Sequence, residues 1–256
     1  MRTVAVNDVE LAYVEQGEGD PILFVHGWCC DHTYFAPQAD HLATSRRVVS
    51  VDLRGHGASD KPEGDYSIAT FAADIAAFGD ALGLDRPVIV GHSMGGAIAF
   101  HVARDHPGAT RGVVGVDPAL FFDEGLREIV RVGGTMIAGD ESGEIHRGLV
   151  EGSLFLETDD PELKDRVVRE MTAVPRHVLV PAFQDLGEID ASALVEACMV
   201  PAMVVWADRD DMDLGAIAET HGHVDFRQTL GVGHFNQLLA PGEVNAHLDD
   251  FLEQFV

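Results

Sequence analysis

A chain of 256 residues is within single-domain range for an α/β protein and long enough to bury a substantial core. Its apolar fraction of 46% and charged fraction of 23% are ordinary for a soluble globular enzyme. The formal net charge of −26 argues against nucleic acid and anionic membrane surfaces as partners, because like charges repel.

Val4–Val6 and Val9–Val14 alternate around Asn7-Asp8, which predicts a β-hairpin. After a Gly/Pro turn, Ile22–Val25 forms a continuous apolar run, as in a strand buried on both faces, and His26-Gly27-Trp28 follows at its end. A helix is expected around Phe35–Leu42, then a strand at Val48–Val51 and a loop from Asp52 to Ser59. Ser67 reads as an N-cap, and Ile68, Phe71, Ile75, Phe78 and Leu82 fall on one helical face. Val88–Val90 is the next strand, followed by a helix from Ala97 and a strand at Gly112–Val116. Strands alternating with helices from residue 22 to 117 imply parallel βαβ units.

The pattern then changes. From about Ala119 to Met199 there are only helical stretches, around Glu124–Met136, Ser142–Phe155, Pro161–Thr172 and Val178–Leu186. Alternation resumes with a strand at Ala202–Trp206, a helix near Leu214–Glu219, a strand at Val224–Gln228 and a last helix carrying Val244, Leu248, Phe251 and Leu252. The expected organisation is an α/β core of residues 1–118 and 200–256, with residues 119–199 as a helical cap inserted after the sixth strand.

The chemistry centres on Gly91-His92-Ser93-Met94-Gly95, which has the spacing Gly-x-Ser-x-Gly between a predicted strand and a predicted helix. In that context the serine sits on a strained turn, its hydroxyl raised above the sheet, and the glycines let strand and helix pass closely. The Met94 N–H, at the helix start, then points toward a developing oxyanion. A serine hydroxyl needs a base, and the base an orienting acid. The chain order serine, acid, histidine leaves four histidines after the last core strands. His247 lies in the final helix, and His221-Gly222-His223 reads as a surface loop. His234, in the glycine-flanked loop after the last strand, is the expected general base.

For the acid, Asp208, Asp210, Asp211 and Asp213 follow the Ala202–Trp206 strand. Asp210 is preferred, because the turn must be long enough to swing a carboxylate toward the histidine loop, and Asp208 is read as a turn residue. Asp117, which also ends a core strand, is the rival. The Trp28 N–H would complete the oxyanion hole with that of Met94, and Gly27 would let the backbone approach the substrate.

These landmarks recur in order across nearly the whole chain: His26-Gly27-Trp28, Asp52-x-Arg54-Gly55-His56-Gly57-x-Ser59, the serine elbow, the loop ending in Asp210, and Gly233-His234-Phe235. Together they resemble the α/β-hydrolase-fold superfamily in its lidded form, with small esterases and enol-lactonases most similar. The resemblance implies a mostly parallel central sheet flanked by helices, and hydrolysis of a small-molecule carboxylic ester or lactone through an acyl-enzyme. It also treats the Arg54-Gly55-His56 loop as structural. The acid loop departs from the family's pattern, since Ala207 stands at its usual glycine. Ser93 argues against the aspartate-nucleophile relatives. Phe235, where C–C bond hydrolases of the meta-cleavage type carry tryptophan, disfavours that alternative. A non-hydrolytic ligand-binding protein on the same fold is the remaining one.

The cap is expected to close over the carboxyl edge of the sheet. Phe121, Phe122, Met136, Phe155, Met171 and Phe183 are candidates for pocket walls, with Gly27, Cys29, Cys30 and Phe235 beside them. Cys29, Cys30 and Cys198 offer neither a disulfide framework nor zinc-ligand spacing, so no metal or cofactor is expected. Acids where a signal peptide needs an apolar core, and the lack of a membrane-length apolar run, lead to an expected cytoplasmic location.

Overall fold

The structure, a computed structural model, describes residues 1–208 and 212–255. Among the described residues eight strands form one sheet: β1 (Arg2–Val6), β2 (Val9–Gln16), β3 (Pro21–Val25), β4 (Arg47–Val51), β5 (Val88–His92), β6 (Gly112–Val116), β7 (Ala202–Trp206) and β8 (Asp225–Gln228), in the order β1-β2-β4-β3-β5-β6-β7-β8. The expected hairpin is β1–β2, in register Val6↔Val9, and β2 also runs antiparallel to β4. The remaining pairings are parallel. The helices are α1 (Ala36–Leu42), α2 (Ile68–Ala81), α3 (Met94–Asp105), α4 (Glu124–Gly139), α5 (Glu144–Ser153), α6 (Pro161–Met171), α7 (Arg176–Leu186), α8 (Ala191–Glu196), α9 (Leu214–Thr220), α10 (Asn236–Leu239) and α11 (Pro241–Phe255).

The central strands are buried on both faces, and their period-two alternation divides the core in two. Ile22, Phe24, Val88, Val90, Val114, Val116, Met203 and Val205 face α1 and the apolar stripe Val244, Leu248, Phe251 and Leu252 of α11. Their neighbours Leu23, Val25, Ile89, Val113, Val204 and Trp206 join the larger cluster under α2, α3 and the inserted helices. Ser67 caps α2 by accepting from the Thr70 amide, and Asp123, Asp160 and Asp190 cap α4, α6 and α8 in the same manner.

Helices α4 to α8 all fall between β6 and β7. The short α8 was not expected from sequence, since six residues carry too little periodicity to register. The His221–His223 turn is the surface loop expected at Gly222 and His223, which are exposed, but not at its first residue. His221 is buried, its ring 5.3 Å from that of Phe121, because the turn ending α9 folds back over the Phe121 side chain. Among the described residues no helix is long and apolar enough to cross a membrane.

Candidate active site

Ser93 is the junction between β5 and α3, with φ 52° and ψ −118°. A non-glycine residue in that region is strained, and it persists only where the surroundings over-determine it. Here they do. A Cβ at Gly91 would lie 2.0 Å from the Gly95 carbonyl oxygen, and one at Gly95 would lie 2.1 Å from that of Val25. Strand and helix therefore pass at backbone contact, forcing the turn that raises Ser93. The Ser93 amide donates to the Val116 carbonyl at 3.0 Å, and its own carbonyl accepts from Gly96, Ala97 and Ala119. The Met94 N–H, in the first turn of α3, is one of the donors a helix leaves without an intrahelical acceptor.

His234 follows β8 in a loop anchored on several sides. Its Nδ1 lies 2.6 Å from Oδ2 of Asp117, whose side chain is almost fully buried. The other Asp117 oxygen accepts from the Ala207 amide at 3.0 Å. Asp117 sits at φ 38°, a second strained backbone at the carboxyl edge of the sheet. Asp210, the acid expected from sequence, lies outside the described residues. Asp208 accepts from the Gly231 amide at 2.8 Å, so this side chain ties the β7 turn to the histidine loop.

Buried His92, beside Ser93, donates from Nε2 to the His234 carbonyl at 2.9 Å. Burial, with the neighbouring His234 ring next in size, pushes His92 down to about 3, so it is a neutral N–H donor at ordinary pH. His56 behaves likewise. Burial and the nearby His26 push it to about 3, while its Nε2 accepts from the Cys29 amide and its Nδ1–H donates to the Arg54 carbonyl. His56 is thus a brace beneath the Trp28 loop. Arg54 is bound by Asp74 and Asp8.

Ser93, His234 and Asp117 open onto one cavity of about 360 Å³. Of the expected wall residues, Gly27, Cys30, Phe122, Phe155, Met171, Phe183 and Phe235 line it, together with Trp28. Cys29 does not. It lies at φ 57° with its amide on His56, so the turn carries Cys30, not Cys29, to the cavity. Phe121 packs instead on Trp206 and Phe226, and Met136 is half exposed. Trp28 is both wall and brace: its indole donates to the Leu179 carbonyl of α7 at 2.9 Å and packs on Phe183.

Among the described residues, one group brings metal-ligating atoms together: Asp31, His32 and Asp52, within 4.8 Å of one another. These atoms already serve the loops, with Asp31 accepting from the Thr33 amide and Asp52 bonded to Nδ1 of His32. Asp159, which sequence reasoning did not single out, accepts from the amide of Gly233 beside the histidine.

A family model described as the alpha/beta hydrolase fold matches residues 20–132. The AB hydrolase superfamily protein YisY of Bacillus subtilis is 41% identical over 102 residues, which are 40% of this chain and 38% of that protein. The chain spans less than half the length of the first curated relatives it matches. An esterase from Thermogutta terrifontis superposes with a TM-score of 0.85 at 27% identity, covering 98% of this chain and 96% of the other. Est816, described as degrading N-acyl homoserine lactones, gives a TM-score of 0.85 at 28% identity, covering 98% and 100%. With the strand order, the inserted helices and the Ser93 elbow in place, the chain is an α/β-hydrolase-fold protein that resembles esterases and lactonases.

Proposed function

We propose that this chain is a serine hydrolase of small, neutral carboxylic esters or lactones, working through an acyl-enzyme. The observation that carries the reading is the strained Ser93 turn sharing a cavity with an imidazole whose Nδ1 already meets a buried carboxylate. His234 takes the Ser93 proton as Oγ attacks the carbonyl carbon, and Asp117 holds the imidazole in the tautomer that leaves Nε2 free to accept it. The amides of Met94 and Trp28 stabilise the oxyanion. Collapse of the tetrahedral intermediate releases the alkoxide, which His234 protonates. Water then attacks the acyl-enzyme by the same route, returning the proton to Ser93 and the acid to solvent.

The preference for neutral substrates rests on the cavity wall. Phe122, Phe155, Met171, Phe183 and Phe235 supply an apolar lining, and the carboxylates of Asp117 and Asp208 border it. An ester carrying a free carboxylate would meet those like charges in a partly desolvated space. Esters and lactones are taken together because the similar solved structures include both an esterase and a lactone-degrading protein.

The test is turnover of short-chain p-nitrophenyl esters and of lactones by wild type and Ser93→Ala, with fluorophosphonate labelling read by mass spectrometry. The expected outcome is turnover and a single adduct at Ser93, both lost in Ser93→Ala at unchanged melting temperature. Folded wild-type protein that neither turns over the panel nor takes the label would point to a ligand-binding protein instead.

A further inference from the structure

The backbone of His234 is divided between the two parts of the fold. Its carbonyl accepts from His92, which belongs to the elbow, while its amide donates to the Leu154 carbonyl at 3.2 Å, in the segment joining α5 to α6. One residue earlier, the Gly233 amide donates to Oδ1 of Asp159 at 3.1 Å. The other Asp159 oxygen accepts from the Leu156 amide at 2.8 Å, and the Asp159 amide donates back to the Leu156 carbonyl. Asp159 is 8% exposed. A carboxylate so placed costs several kcal/mol of desolvation unless hydrogen bonds offset it. Both of its oxygens are spent on backbone amides, one in its own turn and one in the histidine loop.

Gly233 fits this contact from the opposite side. Its φ does not require glycine, since it is absent from the left-handed positions, yet a Cβ there would lie 2.5 Å from Asp159 Oδ2 and 3.2 Å from the Leu154 oxygen. The glycine therefore makes room for the inserted helices' turn, not for its own backbone conformation. Stacking of Phe155 on Phe235, with centroids 5.2 Å apart, closes the same contact on its apolar side. Leu154, Phe155, Leu156, Gly233, His234 and Phe235 all line the cavity.

We infer that Asp159 is a positioning residue: with the Leu154 carbonyl it fixes the histidine loop from the cap side, so that seating of the cap and alignment of the base over Ser93 are one event. The inference rests on the reading of Ser93 and His234 as nucleophile and base. A substrate that packs against Leu154–Leu156 would thereby press on the segment that aligns the base. Cap occupancy would then appear in kcat and not only in KM.

The experiment compares wild type, Asp159→Asn and Asp159→Ala on p-nitrophenyl acetate, each also in a His234→Ala background. Hydrogen exchange of the peptide spanning residues 231–237 and thermal melts are followed in parallel. Asp159→Ala is expected to lower kcat by ten- to a hundredfold with KM changed less than threefold, and to speed exchange of the Gly233 and His234 amides. Asp159→Asn, keeping one acceptor oxygen, should fall between. In the His234→Ala background the Asp159 substitutions should cost less than twofold, because there is no base left to align. Equal losses in both backgrounds, or full kcat in a folded Asp159→Ala, would overturn the inference while leaving the hydrolase reading intact. If Asp159→Ala does not fold, the near-isosteric Asp159→Asn carries the same comparison. A wild type inactive on esters and unlabelled at Ser93 would instead sink the hydrolase reading. Unchanged 231–237 exchange in the variants would then also reject the cap-side contact.

Discussion

Asp117 and Ser93 stand side by side at the carboxyl edge of the sheet, although 24 positions separate them in the chain. The parallel pairing His92↔Val116 makes each the next residue in register, and the Ser93 amide donates to the Val116 carbonyl. Both hold positive φ where their strands end, 38° for Asp117 and 52° for Ser93. The carboxylate so delivered meets Nδ1 of His234 at 2.6 Å.

That arrangement sets the first prediction. Asp117→Asn should reduce kcat by about 10³- to 10⁴-fold on p-nitrophenyl butyrate, because an amide cannot hold the imidazole in its productive tautomer. Asp210→Asn, made in parallel, should cost no more than a few-fold. The reverse ranking would return the acid to the loop after β7.

β3, β5 and β7 were legible as short continuous apolar runs, because both of their faces are buried, and α2 and α11 were legible because burial of one face writes a helical period into the residues. That Ser93 and His234 reach one cavity was legible because turn glycines flank them. The partnership of Asp117 with His234 was not. It depends on strand order, which places β6 directly against the serine strand and β7 one position further out. No local spacing records that order. Asp159 was invisible for the same reason: it meets the histidine loop 74 positions away, across the gap between inserted helices and sheet. His221 is a smaller miss: Gly222 and His223 are at the surface as read, but tertiary packing covers the His221 ring.

The glycines of the elbow are predicted to be intolerant for steric reasons alone. Gly95→Ala would drive a methyl group to 2.1 Å from the Val25 oxygen and 2.6 Å from that of His26, both backbone atoms that cannot swing aside. Overpacking of this kind costs about 3 kcal/mol, and the β3–α3 contact must open to relieve it. Urea unfolding should report the loss in the midpoint at unchanged slope. A change below about 0.5 kcal/mol would mean that the backbone yields there, which the strain argument does not allow.

Substrate charge offers a separate check. Matched p-nitrophenyl esters of butyrate and of hemisuccinate differ chiefly by one terminal carboxylate. With Asp117 and Asp208 bordering the cavity and a net charge of −26 on the chain, the neutral ester should be favoured at least tenfold in kcat/KM. The ratio should narrow as salt screens the long-range part. Preference for the hemisuccinate would reveal a cationic subsite and redirect the reading toward dicarboxylate chemistry.

The buried imidazoles predict how the protein meets acid. His56 and His92 are both held down to about 3, chiefly by burial, whereas an unfolded histidine titrates near its ordinary 6.5. Between those values the unfolded chain binds more protons than the folded one. The stability these groups contribute is therefore complete above pH 6.5 and drains away as pH falls toward 3. Each costs about 1.4 kcal/mol per pH unit within that window. His26 shifts in the same direction for the same reason, with burial outweighing the attraction of Asp52. Unfolding at pH 5 should take up about two protons from His56 and His92 alone, measured by calorimetry in buffers of different ionisation enthalpy. His56→Gln should lower that uptake by about one proton while weakening the bond to the Cys29 amide, so that a flatter pH dependence accompanies a lower stability at pH 7. Uptake near zero at pH 5 would mean that the imidazoles are already charged in the folded state, and the neutral braces beneath the oxyanion loop would have to be abandoned.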